Sequence, residues 1–297
     1  MHNQYYSLGL YEKSMPGALG LPEKLAETKA AGFDYLELSV DETDEKLARL
    51  DWNDTEIHAL RHAVEETGVP VYSICLSGHR RFPLGDPDPS VRERSLAVME
   101  GAVSLAARLG VRIIQLAGYD VYYKKGGEST RQFFAENLQR SVFMAARQGI
   151  TLAFETMETP FLDTVEKAMY WVNRIGSPYL QVYPDAGNIT NAACLYGKPV
   201  SADLETGRGH LSALHLKETK PGIYREVPYG TGHVDFQSVA GTAWDLGVRM
   251  FVGEFWYAEA SDWRAVLREN NRFLRSYLDP QTPQTKASIS NECVYYR

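Results

Sequence analysis

The stretch SVRERSLAVMEGAVSLAARLGVRIIQLAG (90–118) holds the repeating unit of this chain: an amphipathic helix, a glycine and a strand. Apolar residues recur at helical spacing up to Leu109, and Gly110 supplies a residue that tolerates the left-handed conformation in which helices stop. VRIIQLAG, from Val111, then has the length and apolar content of a buried strand. Outward from it the unit recurs. LPEKLAETKAAG (21–32) and TEIHALRHAVEETG (55–68) are further helices ending on Gly32 and Gly68. Strand-length segments begin at Ser7 (SLGL), Tyr35 (YLELSV), Val71 (VYSICLS), Thr151 (TLAFE), Tyr179 (YLQVYPD), Leu211 (LSALHLK) and Met250 (MFVGEF). Alternating β and α elements imply a mainly parallel sheet, and eight strands favour a closed (β/α)8 TIM barrel over an open doubly wound sheet.

At 297 residues length alone allows two domains, but the repeating organisation predicts a single barrel over 1–278. The remainder, 279–297, is polar with two prolines and reads as a mobile tail or an arm docking on a neighbouring subunit. Residues 186–209 and 217–235, rich in Gly, Pro and Asn, read as long loops after the sixth and seventh strands, where barrel enzymes build the rim of the site. With 44% apolar and 23% charged residues the composition is ordinary for a globular protein, and no apolar run is long enough to span a bilayer. The opening MHNQYYSLGLYEK has no basic segment followed by an apolar stretch, so export is not expected. Cys75, Cys194 and Cys293 are far apart and form no CxxC pair, which suits a reducing cytoplasm. A net charge of −7 disfavours nucleic acid as a partner.

Strand alternation places the polar residues. In TLAFE, Thr151, Ala153 and Glu155 share one face, so Glu155 points inward at the C-terminal end. The same count puts Asp185 last on the face of Gln181 and Tyr183, His215 with Leu211, Ala213 and Lys217, and Glu254 with Met250 and Val252. Each residue singly is as well explained by an ion pair or a hydrogen-bonded histidine. Jointly, three carboxylates and one imidazole at four strand ends form a hard, oxygen-rich site for one divalent ion, Mn²⁺, Zn²⁺, Mg²⁺ or Co²⁺. Glu37 and Gln115 face inward by the same alternation, to bind sugar hydroxyls, orient metal ligands or form a buried polar network. His210, five residues before His215, falls on the other face and is not expected to be a ligand.

The motifs LGLYEK (8–13), GFDYLELSVDETDEKLARLDW (32–52), CLSGHRRFPLG (75–85), IIQLAGYDVYY (113–123), YPDAGN (183–188), HLKETKPG (215–222) and EFW (254–256) resemble the sugar-phosphate epimerases of the xylose-isomerase-like barrel superfamily. They are most similar to the L-ribulose-5-phosphate (L-xylulose-5-phosphate) 3-epimerases of ascorbate and pentose catabolism. The resemblance implies that Glu155, Asp185, His215 and Glu254 match the family's metal ligands one for one. It also implies a homodimer or larger assembly. The family usually follows its histidine with Lys-Asp, whereas this chain has Lys217-Glu218, one methylene longer.

A ketose has acidic protons beside its carbonyl, and a bound cation stabilises the enediolate left by their removal. Inversion at C3 needs a proton to leave one face and another to arrive on the opposite face, so Glu155 and Glu254 are the candidate acid/base pair. Return of the proton to the adjacent carbon would instead make an aldose–ketose or hexulose-6-phosphate isomerase. For the phosphate, His79, Arg80 and Arg81 after the third strand and Lys217 and Lys220 after the seventh supply positive charge; alternatively Arg80 or Arg81 pairs with Asp86 or Asp88. Asn188, three residues beyond Asp185, is a candidate substrate or supporting contact, and Tyr119, Tyr122 and Tyr123 could hydrogen-bond sugar or phosphate. A metal-dependent endonuclease on the same barrel would need more histidines at strand ends and a basic surface. A sugar-binding protein without catalysis would not explain three carboxylates around one point.

Overall fold

The computed structural model describes residues 5–283. Its strands are Ser7–Tyr11 (β1), Tyr35–Val40 (β2), Val71–Leu76 (β3), Ile113–Ala117 (β4), Thr151–Glu155 (β5), Leu180–Val182 (β6), Leu214–Leu216 (β7) and Met250–Gly253 (β8). They pair in parallel in the order β6-β5-β4-β3-β2-β1-β8-β7. The free edges meet through the parallel bridges Val182↔Leu211 and Asp185↔His215. There Ser212 N donates to Val182 O and His215 N to Pro184 O, each at 2.9 Å, so the sheet closes into a barrel. Around it lie Leu21–Ala30 (α1), Asp44–Leu47 (α2), Asp54–Thr67 (α3), Pro89–Leu109 (α4), Glu128–Arg147 (α5), Val165–Ile175 (α6), Ala186–Tyr196 (α7), Val200–Glu205 (α8), Phe236–Asp245 (α9) and Trp263–Leu278 (α10).

Local chemistry sets these boundaries. α4 starts where the Asp88 carboxylate accepts the Ser90 N–H at 2.8 Å with Pro89 in the first turn, and it stops at Gly110, whose φ of 77° is left-handed. Alternate strand residues such as Leu36, Leu38, Ile114 and Leu116 are buried in the main core with the helices. The opposite face packs Tyr11, Tyr35, Cys75, Ala153, Tyr183, Ala213 and Val252 into a separate cluster inside the barrel. Gly9 makes room for it: a Cβ there would lie 2.4 Å from the Tyr35 ring, whose hydroxyl donates to Phe251 O at 2.9 Å. The floor of the barrel is therefore filled, and the space over the strand ends lies at its C-terminal mouth.

Two expectations are corrected. The stretch 186–209 is mostly α7 and α8 rather than a loop, because Asp185 caps the Asn188 N–H at 2.6 Å and the residues from Ala186 to Ala192 are buried in a helix ended by Gly197. The regular ladders of β6, β7 and β8 are also shorter than the apolar runs, leaving Asp185, Lys217 and Glu254 just beyond them. By contrast 217–235 is irregular, as expected, and Glu218 organises it: its carboxylate accepts the N–H groups of Thr219, Gly230 and Val234 at 3.0–3.1 Å. The longer side chain after Lys217 thus serves as the anchor of this loop. No helix among the described residues is long and apolar enough to cross a membrane. After α10 the chain makes a short turn at Asp279–Gln281; Tyr295, Tyr296 and the rest of 284–297 lie outside the described residues.

A buried ion cluster fixes the β1–α1 connection. Glu12 is fully buried and receives Lys24 Nζ at 3.1 Å, Lys46 Nζ at 2.8 Å and the Arg49 guanidinium at 2.5 and 2.7 Å. Burial pushes this carboxyl up, but Arg49, Lys24 and Lys46 outweigh it and hold Glu12 well below the usual carboxylate range. The next residues are tied to the segment after β8, with Tyr257 N donating to Lys13 O at 2.9 Å and Ser14 Oγ to Phe255 O at 2.7 Å. Lys13 is thereby held at the barrel mouth.

Candidate metal centre

Glu155 ends β5, Asp185 caps α7, His215 sits in the middle of β7 and Glu254 follows β8, where its N–H donates to Leu216 O at 3.0 Å. All four are buried, and one ligand atom from each lies within 4.8 Å of the others. His215 Nδ1 is 3.0 Å from Glu254 Oε2, 3.6 Å from Glu155 Oε1 and 4.0 Å from Asp185 Oδ2. Asp185 Oδ2 has no hydrogen-bond partner although it is buried. An orphaned carboxylate oxygen among two other carboxylates and an imidazole fits a hard divalent cation, whose bonding would satisfy it.

The electrostatics express the same crowding. Burial raises the Asp185 carboxyl well above its ordinary value, and Glu254 and Glu155 add to this against Lys217. Burial likewise raises Glu155. Burial also opposes ionisation of Glu254, but Lys217 and His215 outweigh it and hold Glu254 low. Lys217 Nζ lies 3.2 Å from Asp185 Oδ1 and 3.5 Å from Glu254 Oε2, so it belongs to the ligand cluster rather than to an outer phosphate site. His215, despite burial, is raised by Glu37 and Glu254.

The other candidates separate. Glu37 Oε1 is 2.6 Å from His215 Nε2, and Gln115 Nε2 is 3.1 Å from both ring nitrogens, so both residues lie behind the ligand set and not against a sugar. Arg80, Lys217 and Asn188 line the cavity over the ligands. Asn188 Nδ2 donates to Thr156 O at 2.7 Å, which leaves its Oδ1, buried and without a partner, for a donor in the cavity. Besides Lys217, three phosphate candidates are displaced. His79 is 2% exposed with Nε2 3.1 Å from Ser95 O, and burial lowers its pKa to about 4, so it is a neutral packing residue. Arg81 points outward to Asp44 at 2.6 Å, and Lys220 is exposed beyond the rim. Asp86, considered as an arginine partner, instead holds Lys124 at 2.9 Å, and the acid nearest Arg80 is Glu42 at 3.6 Å.

The cavity also contains groups that the residue pattern did not single out: Tyr11, Lys13, Glu158, Arg225 and Trp256. Tyr11 and Trp256 share the inward faces of Gly9 and Glu254, so strand alternation could have found them. Glu158 accepts from Tyr119 at 3.0 Å, Tyr122 at 2.9 Å and Arg225 at 3.2 Å, while Arg80 lies 4.9 Å over the Tyr122 ring. Arg80 and Arg225 thus flank the Glu158–Tyr122 side of the cavity, and nothing in the local sequence ties Arg225 to Glu158, 67 residues earlier.

With the geometry defined, comparison with known proteins adds the family. A model described as xylose isomerase-like TIM barrel matches residues 25–277. This chain belongs to that family. It is 43% identical over 263 residues to L-ribulose-5-phosphate 3-epimerase UlaE of Shigella boydii serotype 18, covering 88% of this chain and 91% of the relative. It is 46% identical over 242 residues to the UlaE of Salmonella paratyphi C, covering 82% and 84%. Among solved structures, D-psicose 3-epimerase of Clostridium cellulolyticum H10 superposes with a TM-score of 0.77 at 15% identity, over 92% of this chain and 99% of the other. An L-ribulose 3-epimerase superposes with a TM-score of 0.75 at 17% identity, over 96% and 98%. At such identities these structures speak for the xylose isomerase-like barrel alone.

Proposed function

We propose that this protein is a metal-dependent 3-epimerase of a ketopentose 5-phosphate, interconverting L-ribulose 5-phosphate and L-xylulose 5-phosphate. The observation that carries the reading is the convergence of Glu155, Asp185, His215 and Glu254 at one point of the barrel mouth. The similarity to the UlaE relatives supplies the substrate class. The catalytic unit is the single barrel over 1–278, working in the cytoplasm as a homodimer or larger assembly. Its ion is Mn²⁺, Zn²⁺, Mg²⁺ or Co²⁺, as the oxygen-rich donor set suits.

When bound, the cation supplies Lewis-acid stabilisation of the enediolate oxygens. The protein does the rest. Glu155 and Glu254 reach the site from β5 and β8 and bracket the C3 carbon, one to take its proton and the other to return one on the opposite face. Asn188 Oδ1 accepts a substrate hydroxyl. Arg80, Lys13 and Arg225 take the phosphate, and Arg80 is preorganised by the Tyr119 and Tyr122 rings. Trp256 and Tyr11 exclude water from one side.

The test is replacement of each glutamate by glutamine, which keeps an oxygen ligand and removes the basicity. Epimerisation by Glu155→Gln and by Glu254→Gln should each fall at least about a hundredfold with metal content retained. Each variant should still exchange C3 deuterium from D2O into one epimer only. Near wild-type turnover with retained metal would remove that glutamate from the reaction, and deuterium at C1 rather than C3 would make the protein an aldose–ketose isomerase.

A further inference from the structure

Glu37 of β2 has no place in the chemistry above, yet it is 0% exposed and makes three short contacts. Its Oε2 accepts from Ser73 Oγ at 2.6 Å and Tyr183 OH at 3.0 Å. Its Oε1 is 2.6 Å from His215 Nε2, and among the described residues the imidazole is its one ion-pair partner. With both hydroxyls on Oε2, Oε1 depends on the ring for a donor. Gln115 Nε2 lies 3.1 Å from each ring nitrogen and so does not distinguish them. Glu37 acts on Nε2 alone, and the ligand carboxylate of Glu254 acts on Nδ1 alone, at 3.0 Å.

Resting on the metal reading of the site, we infer that Glu37 is the positioning residue that keeps the imidazole proton of His215 on Nε2 and presents the Nδ1 lone pair to the cation. A coordinating neutral imidazole carries one proton, which must sit on the nitrogen that does not bind. Nδ1 faces Glu254, Glu155 and Asp185, whereas Nε2 faces a carboxylate that has no other strong donor at Oε1. The Tyr183 ring packs edge-on against the imidazole with centroids 5.0 Å apart, and its hydroxyl holds the same carboxylate, so one residue fixes both the ring plane and its hydrogen-bond partner. An amide in place of Glu37 keeps the volume, but it loses the charge and can turn its NH2 toward Nε2, which would drive the ring proton onto Nδ1.

The experiment measures binding rather than turnover. Metal-stripped wild type and Glu37→Gln are titrated with Zn²⁺ against a chromophoric chelator, with urea midpoints of both apoproteins as the fold control. The variant should bind about 10–100-fold more weakly, as expected when the carboxylate behind a metal-bound histidine is lost, with its apoprotein midpoint close to wild type. Ser73→Ala removes one donor but keeps the Glu37 charge, and should change affinity much less. Equal affinity of Glu37→Gln and wild type overturns the inference, whereas a wild type that binds no divalent ion overturns the metal reading beneath it. A measurement needing no variant covers a folding failure: long-range ¹H–¹⁵N correlation of the His215 ring in the Zn²⁺-loaded protein. Coordinated Nδ1 with protonated Nε2 is expected, and the opposite assignment overturns the inference.

Discussion

Among the described residues Lys217 is the one lysine inside the ligand cluster, and replacing it by methionine should separate its part in folding from the part of the cation. Its ammonium lies 3.2 Å from Asp185 and 3.5 Å from Glu254. At an effective dielectric near 20 each contact is worth about 5 kcal/mol of gross attraction. Desolvation of the buried ammonium offsets much of that, and breaking a buried pair by deleting one partner costs about 3–5 kcal/mol net. Protonation of Asp185, which burial already favours, would relieve part of the loss. Burial lowers the proton affinity of Lys217, but Asp185, Glu254 and Glu155 outweigh it and raise it. The folded value lies above the unfolded one, so this contribution is complete at neutral pH and is lost only in strong alkali. Metal-free Lys217→Met should therefore show a lower urea midpoint than metal-free wild type at pH 7, and saturating Mn²⁺ should close more than half of the gap by neutralising the same carboxylates. Coincident metal-free midpoints would show that Lys217 does not balance the cluster. A gap untouched by Mn²⁺ would show that the cation does not bind there.

Removing the metal with a chelator should abolish epimerisation, and adding a divalent ion should restore it; full turnover by protein shown metal-free by elemental analysis would contradict the mechanism. Arg80→Met should raise KM for the phosphorylated ketose roughly tenfold or more, the cost of one charge-assisted hydrogen bond, while a free ketose is much less affected. Equal effects on both substrates would place the phosphate elsewhere. His79, at a pKa of about 4, has a folded value below its unfolded one, so its neutral form favours folding near pH 7 and the advantage fades as pH falls toward 4. At pH 4.5 the loss should reach about 2.5 kcal/mol, seen as a steeper fall of the urea midpoint than in His79→Gln; parallel pH curves would contradict its burial in neutral form.

The residue pattern made the barrel legible because strand alternation is local: Glu155, Asp185, His215 and Glu254 follow from counting along four strands, and Gly32, Gly68 and Gly110 mark helix ends without any tertiary information. The rim resisted the same treatment. His79, Arg80 and Arg81 are consecutive in one short turn, where a step of one residue rotates the side chain from the core to the cavity to solvent, and no periodicity chooses among them. α7 was hidden because Gly187, Asn188 and Asn191 are loop formers by propensity, while burial against the β7 connection decides their conformation: a Cβ on Gly187 would lie 2.5 Å from Thr219 Cγ2. Arg225 and Glu158 meet only through the fold. Glu37 was placed on the inward face from the sequence, but its choice among sugar, ligand and structural partner needed the 2.6 Å contact to His215.

The closing joint of the barrel has a mechanical consequence. β6 and β7 are three residues each and share only isolated bridges, one of which is Asp185↔His215. Two ligands of the candidate centre are therefore the two sides of the sheet's least laddered seam, and a cation between them would act as a rivet through it. Occupancy at a hundred times Kd adds about 2.7 kcal/mol to any opening that separates them. The amides of Ser212 and His215, which donate across this seam, would then slow in hydrogen exchange more than those of the long β2–β3 ladder. Metal loading would set how often the hoop springs open, so the same ion that prepares the chemistry would also decide how long the barrel stays shut.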